Sequence, residues 1–378
     1  MVINENTPKK ICILSNGLVR GGTDTFVVNL AKGLDKTQYD ITVVLPVTGN
    51  ENCLRVPELL EIGVTVKKTC SLTGFRGRAV HLFRLFRILR EEKYDVFQTN
   101  IDLFNGVNIF VSWLAGTKIR VCHSHNSQQQ KEAAFGRTPA IAVYQGVMRW
   151  LCWTFSNRRA GCSKAALDFL FKDKWKKDPR AIVVNNGIDI DRFRSEADTG
   201  EVLQEIGAKA RYHILTVGRI SPQKNPMLIA DIFAALCKKR EDCDLIWVGI
   251  GEMEAEVKAK LRDHGVMDRV LFLGTRGDVN ELMQCSDVFL FPSLFEGLGI
   301  VVIEAQAAGL PCVISDTIPG MVDCGGCCFL PLSDAPELWA QKVCDVLDGK
   351  ETFCVDEERL NQYSIEHMVE QMESLFEP

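Results

Sequence analysis

The chain has 378 residues, 46% of them hydrophobic and 25% charged, with a formal net charge of −5. At roughly 100 to 200 residues per domain this length predicts two domains, each able to bury its own core, and excludes a small disulfide-stapled module. The composition excludes a disordered or fibrous chain, and the charge argues against a protein coated for duplex nucleic acid, so no nucleic-acid partner is expected.

The run Ile11 to Leu14 reads as a strand. It breaks into a loop ending in Gly21 and Gly22, after which Phe26, Val27, Leu30, Ala31 and Leu34 recur at helical spacing. The alternation continues with a strand at Ile41–Leu45, a helix at Ala79–Leu89, a strand at Asp95–Gln98, a helix at Leu103–Leu114 and a strand at Ile119–Cys122. Further strands are predicted at Ile214–Val217, Leu245–Val248, Val270–Leu273, Val288–Phe291 and Cys312–Ile314, with helices starting near Pro226, Glu252, Val279 and Ile300. Connections too long for hairpins make this an α/β chain with parallel sheets covered on both faces, that is, two doubly wound Rossmann-like domains. The boundary is expected near residue 190, before the polar stretch Asp191–Gly207, which has no strand pattern. This gives domains 1–190 and 191–363, with a last helix from about 364 crossing back onto the first.

No run reaches the roughly 18 apolar residues that span a bilayer. Lys9 and Lys10 directly precede a strand-like run instead of a signal-peptide core, so a cytoplasmic location is expected. Fifteen cysteines, an odd number mostly inside apolar runs, read as reduced buried thiols. Cys324-Gly-Gly-Cys327-Cys328 lacks the second pair of a zinc ribbon, and no metal site is expected there.

In open parallel sheets ligands bind beyond the carboxyl ends of the strands, where glycine loops and helix N-termini expose N–H groups. After the strand ending at Phe291 comes a loop with Glu296, Gly297, Leu298 and Gly299, then Ile300, Val301 and Val302 opening a helix that carries Glu304. The glycines allow close approach of a ligand, and the first helical N–H groups suit phosphate oxygens. Two glutamates near a helix start are also common on ordinary surfaces, so the longer pattern is what counts. After Val217 comes Gly218-Arg219-Ile-Ser-Pro-Gln-Lys224, two cations across a proline turn that can share one anion or simply stand in solvent.

Glu296-x7-Glu304, Gly218-Arg219-x4-Lys224, the Gly21-Gly22 loop and Asn186-Gly-Ile-Asp-x3-Phe193 together resemble the retaining, nucleotide-sugar-dependent glycosyltransferases of family 4 (glycosyl transferases group 1) with the GT-B fold. The likeness runs from Gly21 to about Gly320. Ser293-Leu-Phe-Glu-Gly-Leu-Gly, Glu304-Ala-Gln-Ala-Ala-Gly-Leu-Pro-Cys and His123-Ser-His-Asn126 resemble the branch that builds capsular and exopolysaccharides. The resemblance implies that Glu296 contacts the donor sugar, Glu304 the ribose, and Arg219 and Lys224 the diphosphate, while Gly22 lets the first domain close on the phosphates. It also implies a histidine near the site of attack; His123 and His125 both qualify, and His125 is favoured because it lies farther beyond the strand. Implied further are a UDP-sugar donor, no cofactor or metal, a lipid-linked or growing polysaccharide acceptor, and an active site between the domains. The alternative is an inactive or regulatory GT-B protein that binds sugar nucleotides.

Three weaker patterns compete. Asp189-Ile-Asp191 and Asp242-Cys-Asp244 are Asp-x-Asp pairs, one in a turn and one before a core strand, and neither reads as a metal site. Gly249-Ile-Gly251 lacks the third glycine of a dinucleotide loop and is expected to shape a loop near the nucleotide base, and Gly17 to Thr23 lacks the lysine of a P-loop.

The net charge is unevenly spread. Through Ile190 there are 27 basic and 16 acidic residues, giving +11, and beyond it 17 and 33, giving −16. Phe75 to Arg90 reads as an amphipathic helix with Arg84 and Arg87 among Leu82, Phe83, Phe86 and Leu89, and Lys172–Arg180 adds a second basic run. Either arginine on a sheet-covering helix is merely solvated, or this face rests on anionic lipid of the inner leaflet.

Overall fold

Every strand in the computed structural model, which describes residues 8–19, 21–49, 53–126 and 138–377, runs parallel to its sheet neighbours. The first sheet holds β1 (Lys9–Leu14), β2 (Tyr39–Leu45), β3 (Thr65–Lys68), β4 (Val96–Thr99), β5 (Ile119–Ser124), β6 (Arg158–Gly161) and β7 (Ala181–Val183) in the order β3-β2-β1-β4-β5-β6-β7. The second holds β8 (Tyr212–Val217), β9 (Cys243–Val248), β10 (Val270–Gly274), β11 (Val288–Phe291), β12 (Cys312–Ser315) and β13 (Cys327–Leu330) in the order β10-β9-β8-β11-β12-β13. Both are doubly wound, with the strand order reversing between β1 and β4 and between β8 and β11.

The chain divides into two compact units, one running through Ile188 and resuming at Gln362, the other from Asp189 to Asn361. In the first, side chains of β1 alternate between two cores. Ile11 and Ile13 join Phe26 and Leu30 of the helix Gly22–Gly33, while Cys12 and Leu14 join Leu85 and Leu89 of the helix Gly74–Glu92. The helix Ile365–Phe376 completes the first core with Met368, Met372 and Phe376, all fully buried. In the second unit the central strands pack with Phe233 and Trp339.

Elements absent from the sequence reading fill the outer positions: β3, β6, β7 and β13, and the helices Pro139–Phe155, Lys164–Phe171, Thr199–Ile206 and Pro336–Leu347. The polar stretch after Asp189 is two short helices, Ile190–Arg194 and Thr199–Ile206, opened by Asp189 and Asp198 side chains that cap them.

Truncating Phe376 removes a fully buried ring from the first unit alone. Phe376→Ala is expected to cost about 3–5 kcal/mol there, read in denaturant titration as an earlier transition for the first unit and an unchanged one for the second.

Candidate active site

In the second unit the strand order reverses between β8 and β11, which opens a crevice between the loops that follow them. The β8 loop brings Lys224 to Glu296 of the β11 loop, Nζ donating to Oε1 at 2.6 Å. The same oxygen lies 2.5 Å from the Ser293 hydroxyl, and Gln223 Nε2 donates to the Phe295 carbonyl at 3.0 Å. Backbone bonds close the join, with Leu294 N–H donating to the Gln223 carbonyl at 2.8 Å. Ser315, at the end of β12, and Thr317, just past it, donate their hydroxyls to the Ser293 carbonyl at 2.6 and 2.8 Å. Lys224 also rests over the Phe291 ring, 4.6 Å from its centre. Charge, hydroxyl and amide therefore hold Glu296 in one place while leaving it 8% exposed.

Two glycines bring the β9 loop against this assembly. A Cβ on Gly249 would fall 1.9 Å from the Gly218 carbonyl oxygen, and one on Gly251 would fall 2.2 Å from that of Ile220. Gly249 in addition has φ of +133°, open to glycine alone. Gly299 turns the chain with φ of +93° into the helix Ile300–Ala307, on which Glu304 sits one turn inside and half-buried.

In the first unit the reversal falls between β1 and β4. After β1 the Asp24 carboxylate accepts the Val19 and Gly21 N–H groups at 3.0 and 3.2 Å, folding the glycine loop around a single anion, and burial raises its pKa. His123 lies in β5 and His125 just past it, their ring centres 4.0 Å apart and the rings tilted by 34°, beside Phe26. His125 Nε2 lies 2.9 Å from Asn100 Oδ1, and Asp102 accepts both the His125 backbone N–H at 3.3 Å and the Asn126 amide. Burial holds both imidazoles neutral, pushing His125 down to about 3 and His123 well below its usual value.

Residues 20–192 match the family described as Glycosyltransferase Family 4, and residues 211–349 match Glycosyl transferases group 1. EpsF of Bacillus subtilis (strain 168), named as a glycosyltransferase, is 30% identical over 346 residues, 89% of this chain and 88% of its own. The chain belongs to glycosyltransferase family 4. A second relative, the UDP-Gal:alpha-D-GlcNAc-diphosphoundecaprenol alpha-1,3-galactosyltransferase of Escherichia coli, is 30% identical over 243 residues, 62% of this chain and 61% of its own. Among solved structures, Anabaena HepE in complex with UDP-glucose superposes with a TM-score of 0.80 at 20% identity over 97% of this chain and 98% of its own, which makes the fold GT-B.

In this glycosyltransferase Lys224 and Glu296 touch directly, Gly218 packs on the Lys224 stem, and Gly297, Leu298 and Gly299 lead into the helix that bears Ile300, Val301 and Glu304. Arg219 is exposed on the same loop, its guanidinium without an ion pair among the described residues. Gly21 caps and Gly22 begins the first helix. One expectation fails: Val302 N–H is taken by the Gly299 carbonyl at 2.9 Å because the first turn tightens, so only Ile300 and Val301 remain for a ligand. Gly249 and Gly251 shape the loop by admitting the backbone of the Gly218–Ile220 segment. Three of the four Asp-x-Asp residues have structural partners: Asp189 caps a helix, Asp242 pairs with Arg240 at 2.9 Å, and Asp244 with His213 at 2.7 Å. The Cys324 thiol faces the Val322 carbonyl, and Cys327 lies opposite Cys312 across β12 and β13.

Sequence reading missed Gln98, Asn100, Asp102, Gln223 and Ser293. A signal was present for the first two: polar side chains two apart at the end of an apolar strand, matched by the histidines two apart at the end of β5.

Alanine at Gly249 must push its Cβ into a backbone carbonyl. Gly249→Ala is expected to lose about 2–3 kcal/mol in thermal unfolding. Gly320→Ala, whose Cβ meets nothing within 4 Å, should stay within about 0.5 kcal/mol of wild type.

Proposed function

We propose that the protein is a retaining, metal-independent glycosyltransferase that moves a sugar from a nucleotide-sugar donor, a UDP-sugar in first place, to a lipid-linked or growing polysaccharide acceptor. The observation that carries this is the Lys224–Glu296 contact, supported by Ser293 and Gln223, at the strand reversal of the second unit. Breaking a sugar–phosphate bond puts positive charge on the anomeric carbon and two negative charges on the departing diphosphate. Lys224, Arg219 and the N–H groups of Ile300 and Val301 supply positive potential for that leaving group, so it can be stabilised without a metal. Glu296 then contacts the sugar hydroxyls and Glu304 the ribose. In a retaining transfer of this kind the acceptor hydroxyl attacks from the face the phosphate leaves, and the phosphate takes its proton. The protein positions and neutralises, and no side chain forms a bond to the sugar. His125 is read as the histidine that the family resemblance implies near the point of attack.

The donor and acceptor assignments draw on the relatives: a UDP-galactose and diphosphoundecaprenol substrate in the E. coli enzyme, and a UDP-glucose complex in HepE. A non-catalytic sugar-nucleotide binder would need neither Lys224 nor Glu296 held at hydrogen-bond distance in a buried setting.

Glu296→Ala and Lys224→Ala are each expected to lower turnover at least 100-fold, measured as acceptor-dependent release of nucleoside diphosphate from a panel of UDP- and GDP-sugars. Near-wild-type turnover in Glu296→Ala would sink the reading. Turnover unchanged in chelator supports metal independence, and its loss refutes it.

The first unit is read as the acceptor side, resting peripherally on anionic lipid at the inner face of the cell membrane. No helix of the described residues is long and apolar enough to cross a membrane. Supporting the lipid contact are the +11 balance through Ile190 and an apolar face on two adjoining helices, Asn105–Ala115 and Pro139–Phe155. This face exposes Trp113, Leu114, Val143, Val147 and Trp150, with both tryptophans against Phe155. Between Asp102 and Asp168 Glu132 is the single acid, against eight basic residues. On the arginine helix Arg84 is bonded to the Thr69 carbonyl and Arg87 to Glu91, so the aromatic face is the better contact. Flotation with anionic liposomes should carry the protein up, more weakly at high salt, and Trp113→Ser with Trp150→Ser should abolish it. Equal flotation with neutral vesicles would count against the reading.

A further inference from the structure

The transfer chemistry above leaves unused a buried amide at the carboxyl end of β4. Asn100 Nδ2 donates to the Leu14 carbonyl at 3.1 Å, and Gln98 Nε2 donates to Asn100 Oδ1 at 3.0 Å. These two bonds fix the amide one way round. Turned over, it would set oxygen against the Leu14 oxygen and one NH2 group against another. His125 Nε2 lies 2.9 Å from the Oδ1 so fixed. That oxygen carries no hydrogen, so the ring proton must reside on Nε2. Nδ1 is left as a bare lone pair, buried and without a partner among the described residues, on a side chain 7% exposed. A buried acceptor left unmatched costs stability, which marks it as a place for a donor that arrives with the ligand.

We propose that Asn100 is a positioning residue: it holds His125 as the Nε2–H tautomer and so presents Nδ1 as the hydrogen-bond acceptor for a hydroxyl of the sugar substrate. This rests on His125 belonging to the transfer site. The neutral ring that burial enforces is the form able to accept. Around it stand His123, its ring centre 4.0 Å away, Phe26, the Cys162 thiol against the His125 carbonyl, and Asp102, whose carboxylate takes the backbone N–H; burial raises the Asp102 pKa. A carboxylate at position 100 would be the first negative charge set directly on the ring.

The full chain labelled with 15N at histidine reports the tautomer through long-range proton–nitrogen correlations, with His125→Gln assigning the signal. At pH 7 the wild-type ring is expected to carry its proton on Nε2; an Nδ1–H ring or an imidazolium overturns the proposal. In Asn100→Leu the acceptor is gone, so the Nδ1–H form should appear and kcat should fall about tenfold, the worth of one hydrogen bond, with little change in nucleotide affinity. In Asn100→Asp the acceptor and the tautomer remain, while the added charge raises the His125 pKa. The acid limb of kcat/KM should therefore move to higher pH, with activity returning toward wild type above it. Equal loss at every pH in both variants, with the tautomer unmoved, would mean that Asn100 is only scaffold and would overturn the proposal. Should Asn100→Leu fail to fold, the wild-type spectrum and the Asn100→Asp profile still decide. If His125→Gln turns over like wild type although the ring is Nε2–H, the hydroxyl contact is wrong, a result distinct from failure of the donor-side variants of Glu296 and Lys224.

Discussion

A strand running parallel to its neighbour cannot be joined to it by a hairpin, so each connection must climb back over the sheet, usually as a helix. Loops that lead out of the strands therefore collect at one edge, each feeding a helix N-terminus. Where the strand order reverses, between β1 and β4 and between β8 and β11, adjacent loops diverge to opposite faces and leave a gap. The residues singled out for chemistry cluster beside one of these two gaps. The polar groups there are crowded because apolar strands on either side leave them nowhere else to be satisfied.

The two edges are furnished differently. At the second, charge is matched inside the protein: Lys224 and Glu296 neutralise one another with a hydroxyl and an amide in support. On the proposed function, an arriving diphosphate would compete for that ammonium, so binding of the leaving group and release of the Glu296 carboxylate would be one event. At the first edge the groups are neutral amides and imidazoles, and the information lies in which atom carries a proton. The charge balances of +11 and −16 about Ile190 describe surfaces, while each candidate site has a composition unlike that of its own unit.

The central strands were legible because they are buried on both faces and read as unbroken apolar runs; β8, β9, β11 and β12 were found within two residues of their ends. The outer ones were not. Lys67 and Lys68 of β3 and Arg158 and Arg159 of β6 break any such run, and Arg159 is tolerated only because Asp178 and the Trp153 ring receive its guanidinium. Glu296, Lys224 and the glycines were visible as a motif with spacing. Asn100 was not, and Ser293 stood inside the motif without a role, since what they do depends on partners such as Leu14 and Gln223 that lie 86 and 70 residues away.

The first unit is discontinuous: it leaves at Ile188 and closes only with the segment from Gln362 onward. During synthesis the ribosome must deliver more than 170 intervening residues before Met368, Met372 and Phe376 can reach the apolar surface waiting for them. Until then Tyr39, whose ring meets Phe376, and Gly33, which faces Ile365 and Val369, are uncovered on the side that helix will occupy. The unit that begins first thus finishes last, and the nascent chain presents a greasy face to chaperones throughout the making of its partner.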